Sequence, residues 1–171
     1  MSTSVDIGLL ALRVVAGATM AAHGYQKLFL GGRLEGTARW FDSIGMRPGR
    51  RHAWAAAVTE IGAGIALAVG FLTPVAGAAF IALMLVAGYV VHRANGFFSV
   101  NSGWEYNLVL AAIGAAVATT GPGRYSVDHL LGWDTALAGG VGAVVGVVGG
   151  VLAGVAQLAL SYRPAIVAHE A

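Results

Sequence analysis

Five apolar runs, separated by short polar connections, make up most of this sequence. They cover residues 7–22, 53–72, 75–91, 104–120 and 135–160, and the last run contains no charged residue. Apolar runs of roughly 20 residues are typical of helices that cross a bilayer. Only 11% of the residues are charged, whereas soluble domains average about 25%. We therefore predict an all-α integral membrane protein.

No internal repeat or low-complexity linker divides the chain, so we expect a single integral membrane domain over residues 1–171. The first four runs predict a four-helix transmembrane bundle, and run 135–160 predicts a fifth, glycine-rich transmembrane helix. The connection 27–52 mixes bulky apolar with basic residues. It fits either a short interfacial helix, with Trp40 and Phe41 among the lipid headgroups, or a solvated loop.

The basic residues lie mostly between the apolar runs, which indicates membrane orientation and not nucleic-acid binding. With five spans, the first connection, the third connection and the tail share one side. That side carries Lys27, Arg33, Arg39, Arg47, Arg50, Arg51, Arg93 and Arg163, and the opposite side has Arg124 alone. The positive-inside rule then predicts a multi-pass protein of the bacterial inner membrane, with the basic first loop in the cytoplasm.

The absence of cysteine excludes disulfides, thiolate metal sites and CxxC redox chemistry by this chain alone. No Walker loop, dinucleotide fingerprint or Ser-His-Asp arrangement is present either. Catalytic residues therefore cannot be named from a motif.

Arg13 lies inside the first apolar run, where a charge costs at least about 2.5–3.5 kcal/mol. Such residues usually face the protein interior and have a partner. Glu60 is the one acid in the second run, so we predict an Arg13–Glu60 ion pair, with Gln26, Tyr106 and Asn107 as hydrogen-bond partners. A purely structural pair that fixes the helix register is the alternative.

The isolated polar groups of four runs are expected to converge on one half of the bundle, because His23 and His92 end runs there and Glu105 begins one. We interpret this convergence as a polar pocket in the cytoplasmic half. The candidate ligand-binding residues are Arg13, His23, Gln26, Lys27, Glu60, His92, Trp104, Glu105 and Asn107. Aromatic residues on the same side are typical of an interfacial belt, and they also suit a wall for a flat ring such as a quinone.

Two cofactor alternatives are weaker. His23 and His92 could serve as axial haem ligands, and His23, Glu60, His92 and Glu105 could hold a divalent ion. Nothing makes the two histidines face each other, and no two of the four metal-ligand candidates share an i, i+4 spacing. We therefore assign no metal and favour a quinone as the ligand.

The fifth run carries a glycine every four residues, which places a nearly continuous groove on one side of a helix. These glycines are Gly142, Gly146, Gly150 and Gly154. The groove would let another backbone approach closely, either within the same bundle or in a homo-oligomer.

Several short motifs together resemble the DoxX family of small bacterial membrane proteins. They are 23–29 (HGYQKLF), Gly36–Thr37 with Trp40–Phe41, Glu60 with Gly62 and Gly64, Leu72–Thr73–Pro74, Asn95–Gly96–Phe97–Phe98, 103–107 (GWEYN), and Gly121–Pro122–Gly123 with Ser126 and Asp128. The resemblance covers about residues 8–128 and implies a four-helix membrane bundle as the core. The run 135–160 would be an addition to it.

The resemblance also implies a redox-linked role. Family relatives are associated with thiosulfate:quinone oxidoreduction, and mycobacterial relatives with a membrane complex containing superoxide dismutase and a thiosulfate sulfurtransferase. Two hypotheses follow. In the first, the chain is a membrane subunit of a quinone-linked oxidoreductase and binds a quinone or similar small ligand in the polar pocket. Alternatively, it is a non-catalytic anchor or scaffold that docks soluble oxidoreductases in an oxidative-stress or sulfur-redox complex through its basic first loop.

Overall fold

The computed structural model describes residues 2–164, and the regular structure in that range is helical apart from one isolated bridge. The helices are α1 (Thr3–Phe29), α2 (Arg33–Ser43), α3 (Gly49–Val69), α4 (Thr73–Asn95), α5 (Glu105–Thr120), α6 (Val127–Leu130) and α7 (Gly139–Ser161). Helix α4 passes through a π-helical segment, Gly88–His92, before its last turn. The predicted all-α membrane fold is confirmed.

Helices α1, α3, α4 and α7 are each long and apolar enough to cross a membrane, with 21 to 27 residues. Helix α5 is apolar but has 16 residues, or about 24 Å, slightly less than the roughly 30 Å hydrocarbon core. Large apolar side chains point outward, including Val15 (67% exposed), Ile65 (55%) and Leu152 (63%). An outer surface of this kind is stable against lipid and not against water. The chain is therefore a multi-pass membrane protein.

Four helices form the bundle: α1 packs on α3, α3 on α4, α4 on α5, and α5 on α1. Met20, Leu67, Phe80 and Val117 are fully buried between them. Helices α1 and α3 approach closely, because a Cβ added at Gly64 would lie 2.7 Å from the backbone nitrogen of Ala21. Small residues of this kind let membrane helices gain packing where no hydrophobic drive is available.

Helix α7 packs outside this bundle, on α4 and α5. Its glycine ladder faces those two helices, and a Cβ at Gly150 would come within 2.7 Å of the carbonyl oxygen of Ala78. Gly142, Gly146 and Gly154 are likewise packed against α5 or α4. The ladder is packed within the chain, which is the first of the two uses that the sequence allowed.

Helix α2 settles the open question about the first connection, since Arg33–Ser43 is helical. Its inner face packs Ala38 and Phe41 against Met46 and Ala53. This small apolar cluster holds α2 across the end of the bundle where α3 begins, and it positions Phe41 beside the cavity described below.

The predicted Arg13–Glu60 ion pair is wrong. Helices α1 and α3 are antiparallel, and Gly17 lies against Gly64 while Gly24 lies against Glu60. In this register, Arg13 faces the end of α3, where its guanidinium donates to the carbonyl oxygens of Tyr125 (2.6 Å) and Ala68 (3.4 Å). The two residues are thus separated by about two helical turns along α3.

Arg13 belongs instead to a polar cluster at the end of the bundle opposite α2, which we call the distal clamp: Asp6, Arg13 and Asp128, all fully buried. The Asp128 carboxylate accepts hydrogen bonds from the backbone nitrogens of Leu72 (2.8 Å) and Thr73 (2.9 Å) and from the Thr73 hydroxyl (2.7 Å). These bonds tie α6 to the turn between α3 and α4.

Candidate functional site

A cavity of about 620 Å³ lies among α1, α3, α4, α5 and α7, and its polar side chains lie in the half of the bundle near α2. Its wall is mostly apolar, and cavities of roughly 300–1,000 Å³ with a few convergent polar groups are typical of small-molecule sites. The polar or ionisable side chains on the wall are His23, Lys27, His52, Thr59, Glu60, His92, Tyr106, Asn107 and Gln157.

An ion pair between α1 and α3 forms the charged part of the cavity. The Lys27 ammonium lies 2.7 Å from both carboxylate oxygens of Glu60. The Glu60 side chain is 8% exposed and that of Lys27 is 21% exposed. Helix side chains point toward the helix N-terminus, which lets Lys27 reach back to Glu60 at the level of Gly24. The carboxylate is thus compensated inside an apolar wall.

Two histidines stand near this pair with different surroundings. His23 Nε2 and the Tyr106 hydroxyl are 3.2 Å apart at the exposed edge of the cavity. His92 Nδ1–H donates to the carbonyl oxygen of Ser102 at 2.7 Å, which leaves Nε2 as the free ring nitrogen. His92 ends the π-helical segment of α4, and π-helical turns are frequent at functional sites. These groups can donate, accept or exchange protons with a ligand.

Asn107 supplies a hydrogen-bond acceptor that the protein itself does not use. Its side chain is 6% exposed, and Nδ2 donates to the Met84 sulfur at 3.6 Å. Oδ1 accepts no hydrogen bond from any residue in the described range 2–164. A buried polar atom usually has a partner, so this residue on the cavity wall suits a ligand that carries a hydroxyl or N–H.

The structure brings five of the sequence-predicted residues onto the cavity wall: His23, Lys27, Glu60, His92 and Asn107. Arg13 lies in the distal clamp instead. Gln26, Trp104 and Glu105 lie outside the wall, and the Glu105 carboxylate accepts from the Ser99 nitrogen at 2.9 Å. Gln26 lies about 100° around α1 from Lys27, and it is exposed away from the cavity wall.

The sequence interpretation missed His52 and Gln157. His52 Nε2–H donates to the carbonyl oxygen of Arg47 at 3.2 Å, so Nδ1 can accept from Gln157 Nε2 at 3.0 Å. This hydrogen bond links α3 to α7 across the cavity. One available signal was the lone amide of Gln157 within the otherwise apolar run 135–160. Its partner could not be predicted without knowing where α7 packs.

The geometry does not assemble the metal set considered from the sequence. Within the part of the chain that the structure describes, no three His, Asp or Glu side chains are grouped so as to hold an ion. Glu60 is engaged with Lys27, and Glu105 faces the loop at Ser99. The cavity wall thus offers hydrogen-bonding groups and apolar contacts.

Comparison with known proteins gives a family. The sequence model of the DoxX family matches residues 8–93, a segment that includes the Lys27–Glu60 pair. A curated protein of Bacillus subtilis (strain 168), named "Putative oxidoreductase CatD", is 33% identical over 117 residues, covering 68% of this chain and 83% of the relative. No solved structure gives a significant match. The chain belongs to the DoxX family of membrane proteins.

Proposed function

We propose that this chain is a redox-associated membrane subunit that binds a quinone or a similar small ligand in the cavity. The observation that carries the proposal is the Lys27–Glu60 pair on an otherwise apolar wall, beside His23 and Tyr106. A quinone ring offers two carbonyl acceptors, which suit the Lys27 ammonium. Its reduced form offers hydroxyl donors, which suit Asn107 Oδ1. The name of the Bacillus relative supports a redox association.

The proposal concerns binding and proton exchange, because this chain holds no cysteine for thiol redox chemistry. Electrons for a change between quinone and quinol would come from an oxidoreductase partner. The residues on the wall would hold the ring and exchange its protons.

The binding test compares quinone affinity in the purified wild-type protein with that of Glu60→Gln. Glu60 holds the Lys27 ammonium in place, and the hydrogen bond from that ammonium to a quinone carbonyl is expected to contribute about 1.5–3 kcal/mol. We expect affinity to fall by about tenfold or more when Glu60→Gln releases the ammonium. Glu35→Gln is the matched control, since Glu35 lies on α2 with a 64% exposed side chain. Circular dichroism and gel filtration check the fold. Unchanged affinity in the folded Glu60→Gln variant contradicts the proposal.

The cavity half is proposed to face the cytoplasm of a bacterial inner membrane. The ends of α1, α4 and α7 and the starts of α3 and α5 share that side, which carries most of the basic residues. Because the chain is free of cysteine, single-cysteine labelling is clean. In intact spheroplasts, an impermeant maleimide should label Leu130→Cys and leave Ser43→Cys unlabelled. The reverse pattern inverts the topology.

A second candidate function is that of a membrane anchor for soluble redox enzymes. Arg50, Arg51 and Trp54 line a shallow surface groove at the start of α3, and the Arg50 side chain is 71% exposed. Such a basic, exposed edge could dock an acidic partner. A pull-down at low and high salt with Arg47, Arg50 and Arg51 changed to Gln tests this. If every partner stays bound, docking through this edge is wrong.

A further inference from the structure

We infer that the ligand of the cavity is a long-chain amphiphile which arrives sideways from the bilayer. Its ring lies at Lys27 and Glu60, and its hydrocarbon chain lies along α4 between α3 and α7. The inference rests on the proposed function and narrows it to membrane-dissolved, chain-bearing quinones. Four observations carry it: the helix arrangement, the size of the side chains, the volume and the closed end.

The helix arrangement leaves a gap on one side of α4. Helix α3 packs on α1, α2 and α4, whereas α7 packs on α4 and α5. Helix α4 is therefore the floor of a groove whose walls are α3 and α7. Small side chains from all three helices line it, and we call this the alanine groove: Ala55, Ala56, Ala78, Ala79, Ala82 and Ala153.

The alanine groove is continuous with the ion pair, because the same cavity includes both. Along α4 the cavity wall runs from Val75 to His92, a distance of about 25 Å at 1.5 Å per residue. A cavity of about 150 Å³ is enough to hold benzene, roughly a quarter of the 620 Å³ available here. A ring alone would leave most of this length empty, whereas a ring with a hydrocarbon chain would fill it.

The end of the groove nearest α2 is closed by the backbone. The Arg163 nitrogen donates to the carbonyl oxygen of Gly45 at 2.7 Å, and Met46 and Tyr162 form an isolated bridge. The His52–Gln157 hydrogen bond joins α3 to α7 just inside that end. Farther along the groove, Thr59 and Ala153 on the facing walls are exposed at the lipid-facing surface. The alanine groove thus opens sideways, toward hydrocarbon.

The test compares two quinones that share one ring, one with a long isoprenoid chain and one without a chain, in identical detergent micelles. Affinities are expressed in terms of the mole fraction of quinone in the micelles, so that the stronger partitioning of the long-chain quinone into detergent does not count as binding. Ala55→Phe and Ala153→Phe narrow the alanine groove from exposed positions, where folding tolerates a large side chain. Val58→Phe and Ala156→Phe are the controls, on the same helices at exposed positions off the cavity wall.

We expect the chain-bearing quinone to bind at least about tenfold more tightly to the wild-type protein. Ala55→Phe and Ala153→Phe should remove most of that advantage and leave the chainless quinone unaffected, while both controls behave as wild type. Two results would contradict the binding of a hydrocarbon chain in the alanine groove and leave the proposed function intact. In one, the chainless quinone binds normally and the chain adds no affinity. In the other, the groove variants weaken both ligands equally. If neither quinone binds the wild-type protein, both are overturned.

Discussion

The Lys27–Glu60 pair gives the sharpest stability prediction. The perturbation is a double-mutant cycle of Lys27→Met, Glu60→Gln and their combination. Unit charges 2.7 Å apart attract by roughly 6 kcal/mol at an effective dielectric constant of about 20. Desolvation of both ions cancels much of this attraction. The cycle therefore measures the penalty of leaving one charge alone more than the net value of the pair.

The expected magnitudes follow from burial. Breaking a fully buried pair by removing one partner costs about 3–5 kcal/mol. The Lys27 side chain is 21% exposed and can reach headgroups, so we expect Glu60→Gln to cost about 2–3 kcal/mol. The double variant removes both charges and should lie within about 1 kcal/mol of the wild type. Lys27→Met leaves the less exposed Glu60 carboxylate unpaired, so it should cost at least about 2–3 kcal/mol as well. The coupling free energy, which is the sum of the two single costs less the cost of the double variant, should then be about 3–5 kcal/mol, at or above the upper end of the usual range for contacting residues.

The assay is unfolding by SDS in mixed micelles, followed by far-UV circular dichroism. A second cycle on Arg50 and Glu35 is the control, because those atoms are 3.6 Å apart and both side chains are more than 60% exposed. Its coupling should stay below about 1 kcal/mol. If the Lys27 and Glu60 single variants simply add, the two side chains do not form a pair in the cavity wall and the reasoning fails.

Three further predictions concern other parts of the molecule. Asp128→Asn should cost about 1.5–3 kcal/mol of stability, because it weakens charge-assisted bonds in the distal clamp, and quinone affinity should stay unchanged in a binding assay. Gly150→Leu should lower stability by displacing α7 from α4, with no change of oligomeric state by light scattering. The hydrogen bond from His129 lowers the pKa of Asp134. Because this pKa is lower in the folded than in the unfolded protein, the bond stabilises the fold at pH values above the ordinary aspartate pKa. This stabilisation is lost as the pH falls through the lowered pKa. His129→Ala should raise the Asp134 pKa in an NMR titration.

The helices could be predicted because apolar runs of membrane length have few other solutions. The residues at which the helices begin and end were harder to predict. Helix α3 begins at Gly49, before the predicted run 53–72, because charged residues at a bilayer edge can continue a helix. It ends at Val69, since Gly70 adopts a left-handed conformation with φ +69° and ends the helix.

The residues that line the cavity could be predicted only in part, because the sequence does not give the register between helices. Lys27 and Arg13 are both basic residues on α1, and the position of Arg13 inside the first apolar run favoured it as the partner of Glu60. The close approach of Gly24 to Glu60 sets the register between α1 and α3, and in this register Lys27 is the basic residue that reaches Glu60. The His52–Gln157 contact could not be predicted because it depends on where α7 packs. That position is set by the glycines of α7 and not by its one amide.

Photolabelling with an azido-quinone tests the central claim, that the cavity near Lys27 and Glu60 is the ligand site, most directly. After illumination of the purified protein, digestion and mass spectrometry locate the adducts. The account predicts adducts within residues 20–27, 52–60 and 82–92, all suppressed by excess unlabelled quinone. Competitor-sensitive adducts confined to the distal clamp, or adducts spread over the outer surface and insensitive to competitor, would contradict it.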